Sequence, residues 1–103
     1  MRFREKIKQL REQKGLLQRE LAAELKIDTP MYSKIEAGIR KAKKQQALQL
    51  AIFLGIKEEE LVSIWLADQI VELLKDEKNA FNSLIIAGND LFPDHPMWKK
   101  YHK

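Results

Sequence analysis

Between Gly15 and Gly38 the chain has room for two short helices and one tight corner, and for little else. Leu21, Ala22 and Leu25 share one face at helical spacing, and Tyr32 and Ile35, three apart, share another. The spacing predicts helices from about Gln18 to Leu25 and from about Thr29 to Ala37, joined by three or four residues. Ala22 stands where the two would approach most closely, which demands a small side chain. Ile27 plugs the corner, and Tyr32 and Ile35 point back together into a core. Pro30 suits the first turn of the second helix, because the N–H it lacks is not needed there. Either Asp28 or Thr29 caps that helix, and the sequence leaves both open. Gly38 closes it in the manner of a C′ glycine.

The rest of the chain extends the same pattern. Phe3, Ile7, Leu10 and the aliphatic stem of Arg11 mark the inner stripe of a helix over Arg2–Lys14, ended by Gly15. A basic loop, Ile39 to Lys43, leads to a helix over Lys44–Leu54, with Leu48, Ala51, Ile52 and Leu54 as its apolar side and Gly55 as its stop. Glu58, Glu59 and Glu60 open a fifth helix reaching Lys75, with negative charge where the helix dipole favours it. A sixth is expected over Glu77–Ala87, broken by Gly88-Asn89-Asp90. Residues 91–103 hold two prolines and no clear period, and are read as a tail. No stretch alternates as a strand would, so the expected class is all-α.

The 103 residues fit one small domain, and 45% hydrophobic with 33% charged residues is a folded balance. So small a core draws part of its stability from a partner surface, including a second copy. The chain has no cysteine, which excludes a disulfide scaffold and a thiolate metal site and suits a reducing cytoplasm. The charged start, Met1 to Lys6, leads into no signal-peptide apolar stretch, and no run approaches the ~18 apolar residues of a membrane span. A cytoplasmic protein without a membrane partner is expected. His95 and His102 lie seven apart in the tail with no acidic partner at ligand spacing. No glycine-rich phosphate loop, nucleophile elbow or metal motif is present. Catalytic residues, metal ligands and cofactors are therefore all expected to be none.

Charge is unevenly placed. Residues 1–56 hold 13 Lys/Arg against 6 Asp/Glu, a net of +7, whereas residues 57–103 hold 6 against 9, a net of −3. A basic first half suits a polyanion, which the second half would repel.

In order and spacing, Leu10-Arg11, Gln18, Glu20-Leu21-Ala22, Leu25, Ile27, Ser33, Ile35-Glu36 and Gly38 resemble the Cro/repressor (XRE) helix-turn-helix family. Leu50-Ala51 and Leu54-Gly55-Ile56 carry the likeness into the fourth helix, so that it covers roughly residues 3–66. The stretch Leu61–Asp76 also resembles the long helix that follows this domain in some bacterial regulators linked to restriction-modification genes. The resemblance implies a five-helix lambda-repressor-like DNA-binding domain over residues 1–66, a C-terminal helical extension over 67–90 that dimerises, and the tail at 91–103. Three positions depart from the pattern. Leu17 replaces a capping Thr or Ser and offers no acceptor. Lys26 replaces a turn glycine, where a left-handed residue costs roughly 1–2 kcal/mol. Ala42 replaces a common loop proline.

The likeness also implies a mode of action. The second helix of the motif enters the major groove of double-stranded DNA and its first residues reach base edges. With Tyr32 and Ile35 turned inward, Thr29, Pro30, Ser33, Lys34 and Ala37 face outward. Lys34 is the first candidate for a base contact, to guanine O6 and N7. Thr29 suits a base hydrogen bond or a thymine methyl, and Pro30 and Met31 offer apolar contact. Gln18 matches the family position that bonds a backbone phosphate, with Arg19 beside it. Arg40, Lys41, Lys43 and Lys44 form a cluster at a helix start, where a phosphate reverses the unfavourable sign of cations near the dipole. Glu36 is expected to pack or pair structurally. Leu61, Ile64, Trp65, Ile70, Leu73 and Leu74, with Phe81, Leu84, Ile85 and Ile86, exceed what a small helical unit buries, and a two-fold homodimer accounts for the excess. The tail sets Phe92, Trp98 and Tyr101 beside Lys99, Lys100 and Lys103. The expected function is a dimeric transcriptional repressor or autoregulator. The alternative is an antitoxin-like adaptor that binds DNA but acts by holding a protein partner through residues 77–103.

Overall fold

The computed structural model describes residues 1–101, with side chains as far as Lys100. The helices are α1 (Arg2–Gln13), α2 (Gln18–Leu25), α3 (Thr29–Glu36), α4 (Lys44–Leu54), α5 (Glu58–Leu74), α6 (Ala80–Leu91) and α7 (Pro96–Tyr101). Among the described residues there is no strand, so the fold is all-α. No helix among them is long and apolar enough to cross a membrane. The chain divides into two compact units, Met1–Ile70 and the residues from Val71 onward, and α5 runs from one into the other.

In the first unit α1 and α2 each pack on α3 and α4. The core gathers Phe3 and Ile7 from α1, Leu21, Ala22 and Leu25 from α2, Tyr32 and Ile35 from α3, and Leu61 from α5. Helix α4 contributes Ala47, Leu50, Ala51 and Leu54, an i, i+3, i+4, i+7 stripe. This corrects the expected face of that helix. Leu48 is only half-buried and Ile52 is 69% exposed, because a stripe centred on Leu50 and Ala51 carries Ile52 round to the far side. Leu61 is also corrected: it is fully buried in this core and offers nothing to a second chain.

Each of α1 to α4 ends in the same way, with two backbone bonds reaching back across the last turn. At α3 the Gly38 N–H donates to the Ile35 carbonyl at 3.1 Å and the Ile39 N–H to the Lys34 carbonyl at 2.9 Å. Gly38 takes φ +77°, and a side chain there would run into Arg4. At α2 the left-handed place falls to Lys26, at φ 58° and ψ 41°, as the missing turn glycine led one to expect. Leu17 likewise offers no side-chain acceptor, but its N–H donates to Glu20 Oε2 at 2.7 Å, so half of a capping box survives.

The start of α1 is capped from a distance. Asp68, on α5, accepts from the N–H groups of Arg2 and Phe3 at 3.1 and 2.8 Å. Two orphan donors of a helix start are thereby met by a carboxylate that also suits the dipole.

The second unit departs from expectation. Helix α6 starts three residues later than Glu77 and runs through Gly88 to Leu91 instead of breaking there. The supposed tail contains α7, whose Trp98 indole lies against Gly88 where any Cβ would collide. Trp98 Nε1 donates to Asn89 Oδ1 at 2.9 Å, and the Phe92 ring lies 5.9 Å from that of Trp98. Gly88-Asn89 is thus a seat for an aromatic ring, not a helix break. His95 accepts the Met97 N–H at Nδ1, 3.2 Å away, at the start of α7. His102, Lys103 and the Tyr101 side chain lie outside the described residues. Gly88 is the one buried residue in this unit among those described, while Leu73, Phe81, Ile86 and Leu91 are all largely exposed.

Candidate nucleic-acid interface

Helix α3 is fixed at both ends and on one face. Asp28 is its cap: Oδ1 accepts the Met31 N–H at 2.8 Å, which decides between the two residues the sequence left open. Thr29 and Pro30 then form the first turn. Tyr32, Ile35 and Glu36 are buried, so the opposite face presents Thr29, Pro30, Lys34 and Ala37 exposed and Ser33 and Met31 half-buried. The four expected base-reading residues, Thr29, Pro30, Ser33 and Lys34, therefore share one accessible helix face.

What holds that face outward is a buried ionic cluster. Arg11 Nε donates to Glu36 Oε2 at 2.8 Å and Nη2 donates to Oε1 at 3.0 Å, a two-pronged pair joining α1 to α3. Arg11 Nη1 also donates to the Leu16 carbonyl at 2.9 Å, tying in the α1–α2 loop. Burial opposes the Glu36 charge, but the bonds from Arg11 and Gln18 and the Arg11 charge outweigh it and bring the carboxyl below its ordinary value of 4.5. Burial first, and the neighbouring Glu36 charge second, push the Tyr32 hydroxyl well above its ordinary 10.0. That hydroxyl sits beside Glu36 without a well-formed hydrogen bond of its own. Arg4 adds a longer bond, Nη1 to the Glu36 carbonyl at 3.5 Å, at the closing end of α3.

Gln18 is part of this cluster. It opens α2, and its Nε2 donates to Glu36 Oε1 at 3.2 Å. An amide nitrogen carries two N–H groups, so this bond orients Gln18 beside α3 without exhausting it. Arg19 is exposed in the same first turn. Farther along, Arg40, Lys41, Lys43 and Lys44 are all exposed where the chain enters α4. Lys43 is the cap residue and its N–H donates to Gln46 Oε1 at 2.8 Å. Lys41 places its ammonium 5.8 Å from the centre of the Trp65 ring, and Trp65 Nε1 donates to the Ala42 carbonyl at 2.8 Å.

Three contributors escaped sequence reasoning. The partner of Glu36 was visible only as Arg11 in a family pattern, with no reason to join residues 25 apart. Asp68 gave no signal and Trp65 was read only as a pairing residue, although it packs against the first core, since their partners are backbone groups 65 and 23 residues away.

A family model described as helix-turn-helix matches residues 7–61, just over half of the 103 residues. No match was found among curated proteins or among solved structures. The matched span starts in α1 and ends in α5, and it contains the cluster that fixes α3 and the whole exposed face of that helix. A motif of this kind points to DNA binding and a regulatory role. The chain belongs to the helix-turn-helix family.

Proposed function

We propose that this protein is a sequence-specific regulator of the Cro/repressor type that reads the major groove with α3 and acts as a homodimer. The observation that carries the reading is the α3 face. Thr29, Pro30, Ser33 and Lys34 lie accessible on a helix whose other side is locked by Arg11, Glu36, Tyr32 and Gln18. A reading helix must hold its side chains in register with base edges, and such a lock supplies that rigidity. In this reading Lys34 and Thr29 meet bases. Gln18, Arg19, Arg40, Lys41, Lys43 and Lys44 meet phosphates and supply most of the affinity. The first five helices then form a lambda-repressor-like domain, and binding rather than catalysis is the activity.

The dimer is supported by the second unit. A unit of some thirty residues cannot bury a self-sufficient core, and here Leu73 and Phe81 are 74% and 72% exposed. From Val71 onward it holds 5 Lys against 5 Asp/Glu, a net of zero, so like charge does not keep two copies apart. Of the expected pairing residues, Ile70, Leu73, Phe81, Leu84 and Ile86 are exposed, whereas Leu61 lies in the first core and Ile64 and Trp65 pack against it. The same exposed side chains favour the second reading, an adaptor that holds another protein there while α3 binds DNA.

Selection of bound duplexes from a random pool tests the proposal. A recovered palindrome, with half-sites about 34–36 Å apart, is expected from a two-fold dimer. A single ungapped half-site refutes the dimer, and a pool with no enrichment refutes sequence-specific reading. Sedimentation of a 12.1 kDa species at all concentrations would also refute the dimer.

A further inference from the structure

We propose that Trp65 is a positioning residue for the DNA contact, its indole clamping the basic loop so that Lys41 meets a phosphate. The proposal rests on the reading that this loop faces DNA. The loop from Ile39 to Lys43 contains neither proline nor glycine and belongs to no helix, so its shape must come from contacts. Its two ends are anchored locally. The Arg40 N–H donates to the Lys34 carbonyl at 3.1 Å, and the Lys43 N–H to Gln46 at 2.8 Å. Its middle is held from α5. The indole N–H grips the Ala42 carbonyl at 2.8 Å, the Ala42 methyl is buried, and the Lys41 ammonium rests 5.8 Å from the ring centre. A cation within about 6 Å of an indole face is attracted to it. One side chain thus fixes a backbone group and the charge beside it.

The arrangement answers a specific difficulty. Arg40, Lys41, Lys43 and Lys44 are four cations within five residues, and repulsion would scatter them in an unanchored loop. The ring gives Lys41 a fixed resting place, while Ala42 is drawn inward between cations that stay exposed. The indole does both jobs: phenylalanine retains the ring face without the donor, and leucine offers neither.

The test uses the full chain and a mixed-sequence DNA duplex, with affinity followed across salt concentrations. Lys41→Gln and Trp65→Leu are each expected to flatten the slope of log affinity against log salt by about 0.9, the value of one phosphate contact. The double variant is expected to lose no more than either alone. Trp65→Phe is expected to weaken binding by less than Trp65→Leu. Additive losses in the double variant, or an unchanged slope for Trp65→Leu, overturn the proposal.

A measurement on the free protein separates positioning from simple packing. Lys41→Gln should move the Trp65 indole N–H signal. Trp65→Phe should speed amide exchange at residues 41–43 while α2 and the centre of α4 keep their protection. Loss of protection throughout the first unit would make Trp65 a core residue only and overturn the proposal. If the unaltered protein shows no salt-dependent binding, the DNA reading fails, and the loop contact then has structural meaning alone.

Discussion

Replacing Glu36 with glutamine leaves Arg11 as an unpaired charge in a site built for two. The Glu36 side chain is 3% exposed and that of Arg11 12%, so water can do little to replace the lost carboxylate. Removing one partner of a buried pair costs about 3–5 kcal/mol. Arg11 keeps its bond to the Leu16 carbonyl and a little solvent, which places the expected loss at the low end, about 3 kcal/mol. For a cooperative unit of this size that corresponds to a fall in Tm of about 12–24 °C. The loss should also depend on pH. The folded-state pKa of Glu36 lies below 4.5, so its contribution is complete above 4.5 and fades as pH falls through the lower folded value. Urea unfolding, followed by far-ultraviolet circular dichroism at neutral pH and in steps down past 4.5, should show the two proteins converging in acid. A gap under about 1 kcal/mol at neutral pH, typical of an exposed pair, would refute the buried-pair reasoning. So would a gap that stays constant into acid.

Other expectations follow from single contacts. Lys26→Gly should relieve about 1–2 kcal/mol of left-handed strain and return part of it as chain entropy, for a net rise in stability of about 1 kcal/mol by thermal melting. Asp68→Asn should lower stability by about 1 kcal/mol through a weaker cap on α1, seen as faster amide exchange at Arg2 and Phe3. Gly88→Ala should expel the Trp98 ring and strip exchange protection from α7 while leaving the first unit untouched. Lys34→Ala should relax base preference at one operator position, by about 1–3 kcal/mol on the selected duplex. An equal loss on every sequence would reassign Lys34 to phosphate.

Three helix stops in the first unit were legible because they are local: Gly15, Gly38 and Gly55 each close a turn with neighbours one turn away, whereas the stop at Lys26 was legible only through the family likeness. The face of α3 was legible for the same reason, since burying Tyr32 and Ile35 sends Thr29, Ser33 and Lys34 to the other side by helical geometry alone. The Ile52 error shows the limit. Helix α4 is apolar on more than one side, so periodicity admits several stripes, and only the neighbours α1 and α2 select the one through Leu50. Gly88 shows another: a glycine reads as a break unless the ring that needs its empty space is known to arrive.

The opening stretch, Gly15 to Gly38, was therefore determined by its own residues as two helices around a corner, with an exposed face and a stop. Tertiary structure alone decided what holds that stretch in place. Arg11 reaches Glu36, Asp68 caps α1 and Trp65 grips the loop after α3. The reason is physical. Helical periodicity and capping act over one turn and leave a trace in neighbouring letters. A guanidinium, a carboxylate or an indole finds its partner across space, and a backbone carbonyl carries no sequence mark at all.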